Sequence, residues 1–312
     1  MKKFKEIIFL NSIKGVAKKT IYNQYWDMLN EADDFYDLVS EVELNSKFKI
    51  DDIKNAMRKA EELYDYIITS DIDIITVFDD NYPEKLNIMG KDRPLILYIK
   101  GDINALTKPN IAFIGTRKPS QISEEFEKQA VEAILNSSNR VIVSGLALGC
   151  DKVAHQTTVD KDKVTIAVLP SGVDVIKPAK HKKLAKEILE TGGCLISEYV
   201  PNKTPYKSEY VERDKIVAAF SDATFVVECG IESGTMHTVD AASDYGRKIY
   251  SYLPEDTSVG SFDGNEFILK NKPNSMKIQN IKELITDLDD LKINNNDNYS
   301  NKSPKTFQSS LM

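Results

Sequence analysis

Glycine, serine and threonine follow the end of several apolar runs in the middle of the chain. IAFIG is followed by TRKPS, VIVSG by LALGCD, TIAVLP by SGVD and TFVVE by CGIESGTMHT. Small residues let the backbone approach a ligand closely, and backbone N–H groups at the start of a following helix favour an anion. If these four loops meet at one edge of one sheet, they predict a site for an anionic, phosphate-bearing ligand.

The first of these loops carries positive charge. Gly115 and Thr116 precede Arg117 and Lys118, and Ser120 stands where it can cap the next helix and donate to a phosphate. Neither G-x-G-x-x-G nor G-K-[ST] occurs here, so the loop is neither a dinucleotide fingerprint nor a Walker A loop. The alternative interpretation is a solvated basic turn.

Two further loops offer donors of the same kind. Ser144 and Gly145 end the VIVSG run, while Ser233, Gly234 and Thr235 stand at the start of a predicted helix. That helix start presents two or three N–H groups and two hydroxyls to a phosphate. All five residues are predicted to line the same crevice.

The sequence supports catalytic roles for residues in these loops less well than it supports anion binding. Asp151 and His155 are four residues apart on a predicted helix, as a catalytic or metal-binding pair would be, but no third ligand is suitably spaced. A capping carboxylate and a hydrogen-bonded histidine that fix the loop are the favoured interpretation. Glu228 or Glu232 could act as an acid or base, although a buried strand-end carboxylate that holds backbone is commoner. A nucleophilic role for Cys150 is not supported.

A parallel sheet is needed to bring these loops together, and the sequence predicts one. From about residue 95, short Val- and Ile-rich runs alternate with helical stretches, which is typical of βαβ units with strands buried on both faces. We therefore predict an α/β, extended Rossmann-like, doubly wound and mostly parallel sheet. The runs are LILYI (95–99), IAFIG (111–115), VIVSG (141–145), TIAVLP (165–170), CLISE (194–198), TFVVE (224–228) and KIYSYLP (248–254).

Amphipathic helices are predicted before this sheet and after it. Apolar residues recur at three- and four-residue spacing before residue 70. The predicted domains are a helical N-terminal region (1–75), the Rossmann-like domain (76–275), and a terminal helix with a disordered tail (276–312). The tail is rich in Asn and Ser and poor in apolar residues.

Composition indicates a soluble globular protein with no membrane span and with a cytoplasmic location. The 312 residues are 41% hydrophobic and 29% charged, and the three cysteines are too scattered for a disulfide framework or a zinc site. The net charge of −7 argues against a nucleic-acid binder that uses its whole surface. The charge is uneven, however: residues 1–99 sum to −5, residues 100–190 to +3 and residues 191–312 to −5.

Seven blocks, in order, resemble the DNA-processing protein A (DprA/Smf) family. They cover about residues 78–275. The quoted blocks are DDNYPEKLNIMGKDRPLILYIKGD, AFIGTRKPS, SGLALGCDKVAH, TIAVLPSGVDVIKP, GGCLISEY, the stretch from YVERDKIVAAF to KIYSYLP with its SGT, and GSFDGNEFILKN.

This resemblance implies an extended Rossmann fold that binds single-stranded DNA. It further implies a homodimer that helps load a RecA-type recombinase in transformation or recombination, without enzymatic activity, cofactor or metal. Arg117 corresponds to the arginine of the family's G-[ST]-R block, which lies in the DNA-binding pocket.

Two departures from the family pattern bear on the pocket. Arg213, Asp214 and Lys215 stand where the family has RNR, so that an acid replaces a neutral amide. KPAKH, which contains Lys177 and Lys180, replaces YPxxN and adds positive charge. We expect Lys177, Lys180 and Lys215 to join Arg117 and Lys118 in following the phosphates.

The competing hypothesis is a nucleotide-binding sensor or nucleotide-hydrolysing enzyme that uses the same crevice. Lysine decarboxylase-like nucleotide hydrolases have a related architecture and the pattern PGGxGTxEE. Here Gly234 and Thr235 are followed by Met236 and His237, so the acidic residue of that pattern is missing. This favours binding over hydrolysis. A relative repurposed for interaction or defence is a third, weaker alternative.

Overall fold

The computed structural model describes residues 1–45 and 47–289. In chain order the helices are α1 (Phe4–Ser12), α2 (Lys18–Thr20), α3 (Trp26–Glu31), α4 (Phe35–Asn45), α5 (Ile50–Ile68), α6 (Gln121–Ser137), α7 (Cys150–Asp160), α8 (Lys182–Glu190), α9 (Lys207–Phe220), α10 (Thr235–Asp244) and α11 (Asp263–Asn271). A π-helical turn joins α2 to α3, and 3-10 turns occupy Glu84–Asp92, Ile103–Thr107, Ala179–His181 and Thr257–Val259.

The described strands form one mixed sheet. They are β1 (Asp73–Thr76), β2 (Ile96–Gly101), β3 (Asn110–Ile114), β4 (Val141–Ser144), β5 (Thr165–Val168), β6 (Cys194–Ser197), β7 (Ala223–Val226), β8 (Lys248–Tyr252) and β9 (Ser275–Ile278). Their order is β1-β2-β6-β5-β4-β3-β7-β8-β9. The block from β6 to β9 is parallel, while β2 pairs antiparallel with both β1 and β6. The predicted α/β, mostly parallel architecture is confirmed.

The central strand β3 shows why the sequence folds this way. All five of its residues are buried, and alternate side chains enter opposite faces of the sheet. Phe113 packs into the core that α6 covers, whereas Ala112 and Ile114 pack into the core beneath α9 and α10. A run without polar alternation is therefore stable only between two layers of helices.

The N-terminal helices lie against one end of this sheet and share its core. Phe4 of α1 meets Tyr98 of β2 edge to face, with 6.3 Å between the ring centroids. The same apolar cluster contains Ile53 of α5 and Leu195 of β6. The predicted boundaries at residues 75 and 275 fall inside or at the start of strands β1 and β9, and the domain division stays a prediction.

The predicted terminal helix is helical across 281–289, where the structure describes it. Leu284 and Leu288 are buried beside Ile278 of β9. The predicted tail, 294–312, lies outside the described residues. No helix within the described ranges has the length and apolar character needed to cross a bilayer.

Candidate functional site

The order in which successive strands are added to the sheet changes direction at β3. From β3 it proceeds outward through β4, β5 and β6, and then returns to place β7 on the other side of β3. In open α/β sheets, ligands bind beyond the carboxyl ends of the strands at such a switch point. A cleft of about 510 Å³ lies here, which we call the crevice. Its lining includes seven of the predicted residues: Gly115, Thr116, Arg117, Gly145, Ser233, Gly234 and Thr235.

One wall of the crevice presents hydrogen-bond donors without acceptors. The Ser233 hydroxyl oxygen is buried, and it has no hydrogen-bond partner in the described part of the chain. The backbone N–H groups of Gly234 and Thr235, at the start of α10, likewise meet no acceptor there. The helix dipole adds partial positive charge at the same place. These groups are arranged to hold an anion.

Positive charge reaches the crevice from the loop after β3. The Arg117 side chain is exposed, lines the crevice, and makes no ion pair or hydrogen bond within residues 1–45 and 47–289. Neighbouring Lys118 is exposed as well, but it does not line the crevice. Arg117 is therefore available to a bound anion.

The floor of the crevice is built on a close approach between Gly145 and Arg213. A Cβ added at Gly145 would lie 1.5 Å from Nη1 of Arg213. Arg213 is buried, donates from Nη1 to the carbonyl oxygen of Val168 (3.1 Å), and pairs through Nε with Asp214 Oδ1 (2.9 Å). Position 145 therefore has no room for a side chain.

Replacing Gly145 by alanine is expected to lower the free energy of unfolding by roughly 1–3 kcal/mol, because the buried guanidinium of Arg213 must move. Chemical denaturation measures this change. Gly234→Ala is the matched control, since a Cβ there meets no atom within 4 Å and Gly234 already has helical backbone angles. Equal stability of the two variants would contradict the assignment.

Asp151 holds the loop that follows β4, and His155 is hydrogen-bonded to the start of β5. Asp151 Oδ2 accepts hydrogen bonds from the N–H groups of Gly145 (3.1 Å) and Ala147 (3.0 Å). His155 is fully buried with Nδ1 2.8 Å from Thr165 Oγ1, and burial lowers its pKa to about 3. The imidazole is neutral at physiological pH. Asp151 fixes the loop as the sequence predicted but does not cap α7, and the histidine is hydrogen-bonded to β5 and not to the loop.

Glu228 is the buried carboxylate predicted at the end of the β7 run. Its Oε2 accepts from the N–H (2.8 Å) and hydroxyl (2.6 Å) of Ser120, and its Oε1 accepts from the N–H of Ser261 (2.9 Å). Burial opposes ionisation, but hydrogen bonds from Ser120, Ser123 and Ser261 outweigh it and lower the pKa of Glu228. The Ser120 hydroxyl thus fixes the loop and does not face the crevice.

The chain's relatives share this arrangement of strand and loop motifs. A sequence model of DNA recombination-mediator protein A matches residues 73–289. The chain belongs to the DNA recombination-mediator protein A family. The resemblance stated from sequence is confirmed.

Individual relatives of the family match the same part of the chain. Smf from Escherichia coli K12 is 32% identical over 197 residues, which cover 63% of this chain and 52% of Smf. DprA from Streptococcus pneumoniae R6 is 30% identical over 195 residues, covering 62% of this chain and 67% of DprA. The chain thus matches about half the length of Smf.

Solved structures of the family have the same fold. The DprA structure from Streptococcus pneumoniae superposes with a TM-score of 0.73 at 23% identity, covering 90% of this chain and 96% of that one. DprA from Helicobacter pylori, studied for its single-stranded DNA binding mode, superposes with a TM-score of 0.62 at 28% identity, covering 70% and 96%.

In this member of the family, six predicted residues lie outside the crevice. Besides Lys118 and Ser120, these include Ser144, whose buried hydroxyl donates to a backbone carbonyl of β3. Lys177 and Lys180 are exposed in the segment before α8. Lys215 pairs with Glu212 (2.8 Å) and faces a second cleft, between the N-terminal helices and the sheet.

The α9 wall of the crevice was foreseen only in part, because the resemblance placed residues 213–215 at the pocket but did not show which helix face lines it. Tyr210, Arg213, Asp214 and Val217 of α9 all line the crevice, and their spacing of i, i+3, i+4 and i+7 places them on one helix face. The sequence alone shows that these four residues share a helix face if the segment is helical. What the sequence did not show was which face turns toward the strand ends.

This wall contains a carboxyl group, that of Asp214, whose pKa is raised above its ordinary value. Burial raises the pKa of Asp214, and the Asp151 carboxylate raises it further, while Arg213 and His237 act in the opposite direction. The family pattern quoted above has a neutral amide at this position. A carboxylate here opposes the binding of an anion.

Proposed function

We propose that this family member binds single-stranded DNA with a phosphate in the crevice. The observation that carries the proposal is the set of unsatisfied donors at Ser233, Gly234 and Thr235, which lie in the same crevice as unpaired Arg117 among the described residues. The DNA-binding relative from Helicobacter pylori supports the choice of ligand. A single strand suits a local crevice on an acidic protein better than a duplex that requires a broad basic surface.

We further propose that the protein acts as a homodimer that helps load a RecA-type recombinase, and that it does so in the cytoplasm and without catalysis. The family description, recombination mediator, supports the partner. The arrangement of polar groups supports a binding role, because Asp151 is engaged with loop N–H groups and His155 is buried away from the crevice.

Affinity for single-stranded DNA is expected to fall as salt rises. Each neutralised phosphate contributes a slope of about −0.7 in log affinity against log salt, so three or four cations give roughly −2 to −3. The exposed cations Arg117, Lys118, Lys177 and Lys180 are the candidates. A gel shift that titrates salt against single-stranded and double-stranded DNA measures the slope. A flat salt dependence, or a preference for the duplex, would contradict the proposal.

The size of the crevice favours a mononucleotide as the second candidate ligand. About 510 Å³ lies within the usual range for small-molecule sites. Such a protein would be a sensor or a nucleotide hydrolase. Thermal stabilisation by nucleoside monophosphates but not by oligonucleotides would favour the sensor, and release of free base would favour the hydrolase.

A further inference from the structure

Tyr206 presents an exposed aromatic ring at the N-terminal end of α9. Its side chain is 71% exposed, the highest value among the described large aromatic residues. The backbone beneath it is fixed: the Tyr206 N–H donates to Glu209 Oε2 (2.7 Å), and the Tyr206 carbonyl accepts from the Glu209 N–H (3.1 Å). A ring held by a fixed backbone loses little conformational freedom when a ligand stacks on it.

A lysine lies against one face of this ring. The ammonium of Lys203 is 4.6 Å from the ring centroid of Tyr206 and 5.5 Å from that of Tyr199. Lys203 also pairs with Glu209 at 2.7 Å, so it too is held in place. Because an ammonium covers only one face of a ring, the large exposed area of Tyr206 leaves a flat surface for another group.

The ring is also close to the crevice along the helix. Tyr206 precedes Tyr210 by four residues, and Tyr210 precedes Asp214 by four. Tyr206 immediately precedes the first residue of α9, and its backbone is extended, so it stands at the end of the helix that carries Tyr210 and Asp214. Since Tyr210 and Asp214 line the crevice, Tyr206 stands about one helical turn beyond that wall.

We propose that Tyr206, flanked by Lys203, is a stacking subsite for a nucleobase of the strand whose phosphate occupies the crevice. The inference rests on the proposed function and adds a base contact to it. A nucleobase is the matching ligand because every base has a flat π face, and aromatic rings beside basic residues bind single strands in this way without reading sequence.

The test compares two oligonucleotides of equal length and charge, an oligothymidylate and its abasic counterpart. Tyr206→Ala is expected to weaken binding of the oligothymidylate about tenfold and to leave binding of the abasic strand unchanged. Tyr206→Phe, which keeps the ring, should behave as wild type. The matched control is Tyr36→Ala on α4, because Tyr36 is 57% exposed and also has a lysine, Lys5, near its ring.

The two proposals fail in different ways. If the wild-type protein binds both oligonucleotides and Tyr206→Ala loses nothing on oligothymidylate, the stacking subsite is wrong and the proposed function stands. The same holds if Tyr206→Ala weakens both oligonucleotides equally, or if Tyr36→Ala matches its effect. If the wild-type protein binds neither oligonucleotide, both proposals are wrong.

Discussion

Asp214→Asn is expected to strengthen binding of single-stranded DNA about tenfold at neutral pH. The carboxylate lines the crevice in which we place a phosphate, and two like charges about 4 Å apart repel by roughly 1 kcal/mol in water and roughly 4 kcal/mol near a protein surface. A gain of 1.4 kcal/mol corresponds to a tenfold change in affinity. Asparagine has nearly the same size and shape as aspartate, so the wall should keep its shape. Fluorescence anisotropy with a labelled oligonucleotide measures the change.

The same carboxyl group should make binding depend on pH. Burial raises the pKa of Asp214 above the ordinary range of aspartate. Lowering the pH through that raised pKa neutralises the carboxylate, removes the repulsion and increases affinity. Asp214→Asn should lack this increase. His237 and Asp151 lie close enough to influence this carboxyl group, and both are present in the two proteins.

Glu212→Gln is the control for Asp214→Asn. Glu212 lies two residues away on the same helix, but it faces the second cleft and pairs with Lys215. Both substitutions remove one negative charge from α9. An equal gain from both would show that overall charge, and not a carboxylate in the crevice, sets the affinity.

Arg117→Ala is expected to weaken binding of single-stranded DNA roughly tenfold to a hundredfold. A hydrogen bond to a charged group contributes about 1.5–3 kcal/mol, and Arg117 has no partner among the described residues that would compete for it. Because the side chain is exposed, the thermal midpoint of unfolding should stay unchanged. The effect should be uniform across sequences, since a phosphate contact carries no sequence information.

A second exposed arginine provides the control for Arg117→Ala. Arg58 lies on α5 and is more than half exposed, and its one ion pair among the described residues is with Glu62 on the same helix. Arg58→Ala should leave affinity unchanged. If Arg117→Ala binds as tightly as wild type, the phosphate is held elsewhere and the crevice assignment is wrong.

The strands of the sheet could be predicted largely from the sequence, and its edges could not. All seven predicted runs are strands. They could be predicted because uninterrupted Val- and Ile-rich runs are typical of strands that are covered on both faces. The run 95–99, however, pairs antiparallel, and β1 and β9 were not foreseen. Pairing direction depends on contacts that are far away in sequence, and β9 is mostly exposed or half-buried, so it does not stand out as an apolar run.

The site was predictable where a glycine follows a strand directly, as Gly115 and Gly145 do, or begins the next helix, as Gly234 does. Gly115, Gly145 and Gly234 could be placed at the crevice because parallel strands bring their carboxyl ends to one edge. Ser120 and Ser144 also lie at or beyond the carboxyl ends of strands. Their hydroxyls nevertheless donate to Glu228 and to a backbone carbonyl, and neither faces the crevice. Side-chain direction at such positions depends on neighbouring loops, which local pattern does not specify.

The sequence by itself determined the mostly parallel sheet and the family, and it predicted an anion site between the loops. These follow from local composition and from short motifs, whose physical consequences do not depend on distant residues. Only the tertiary structure decided which face of α9 forms a wall, with Asp214 in the crevice and Lys215 at the second cleft. The side chains of two adjacent helical residues point about 100° apart. The rotation of α9 about its axis is fixed by its packing on the sheet, and this rotation determines which charged side chain faces the crevice.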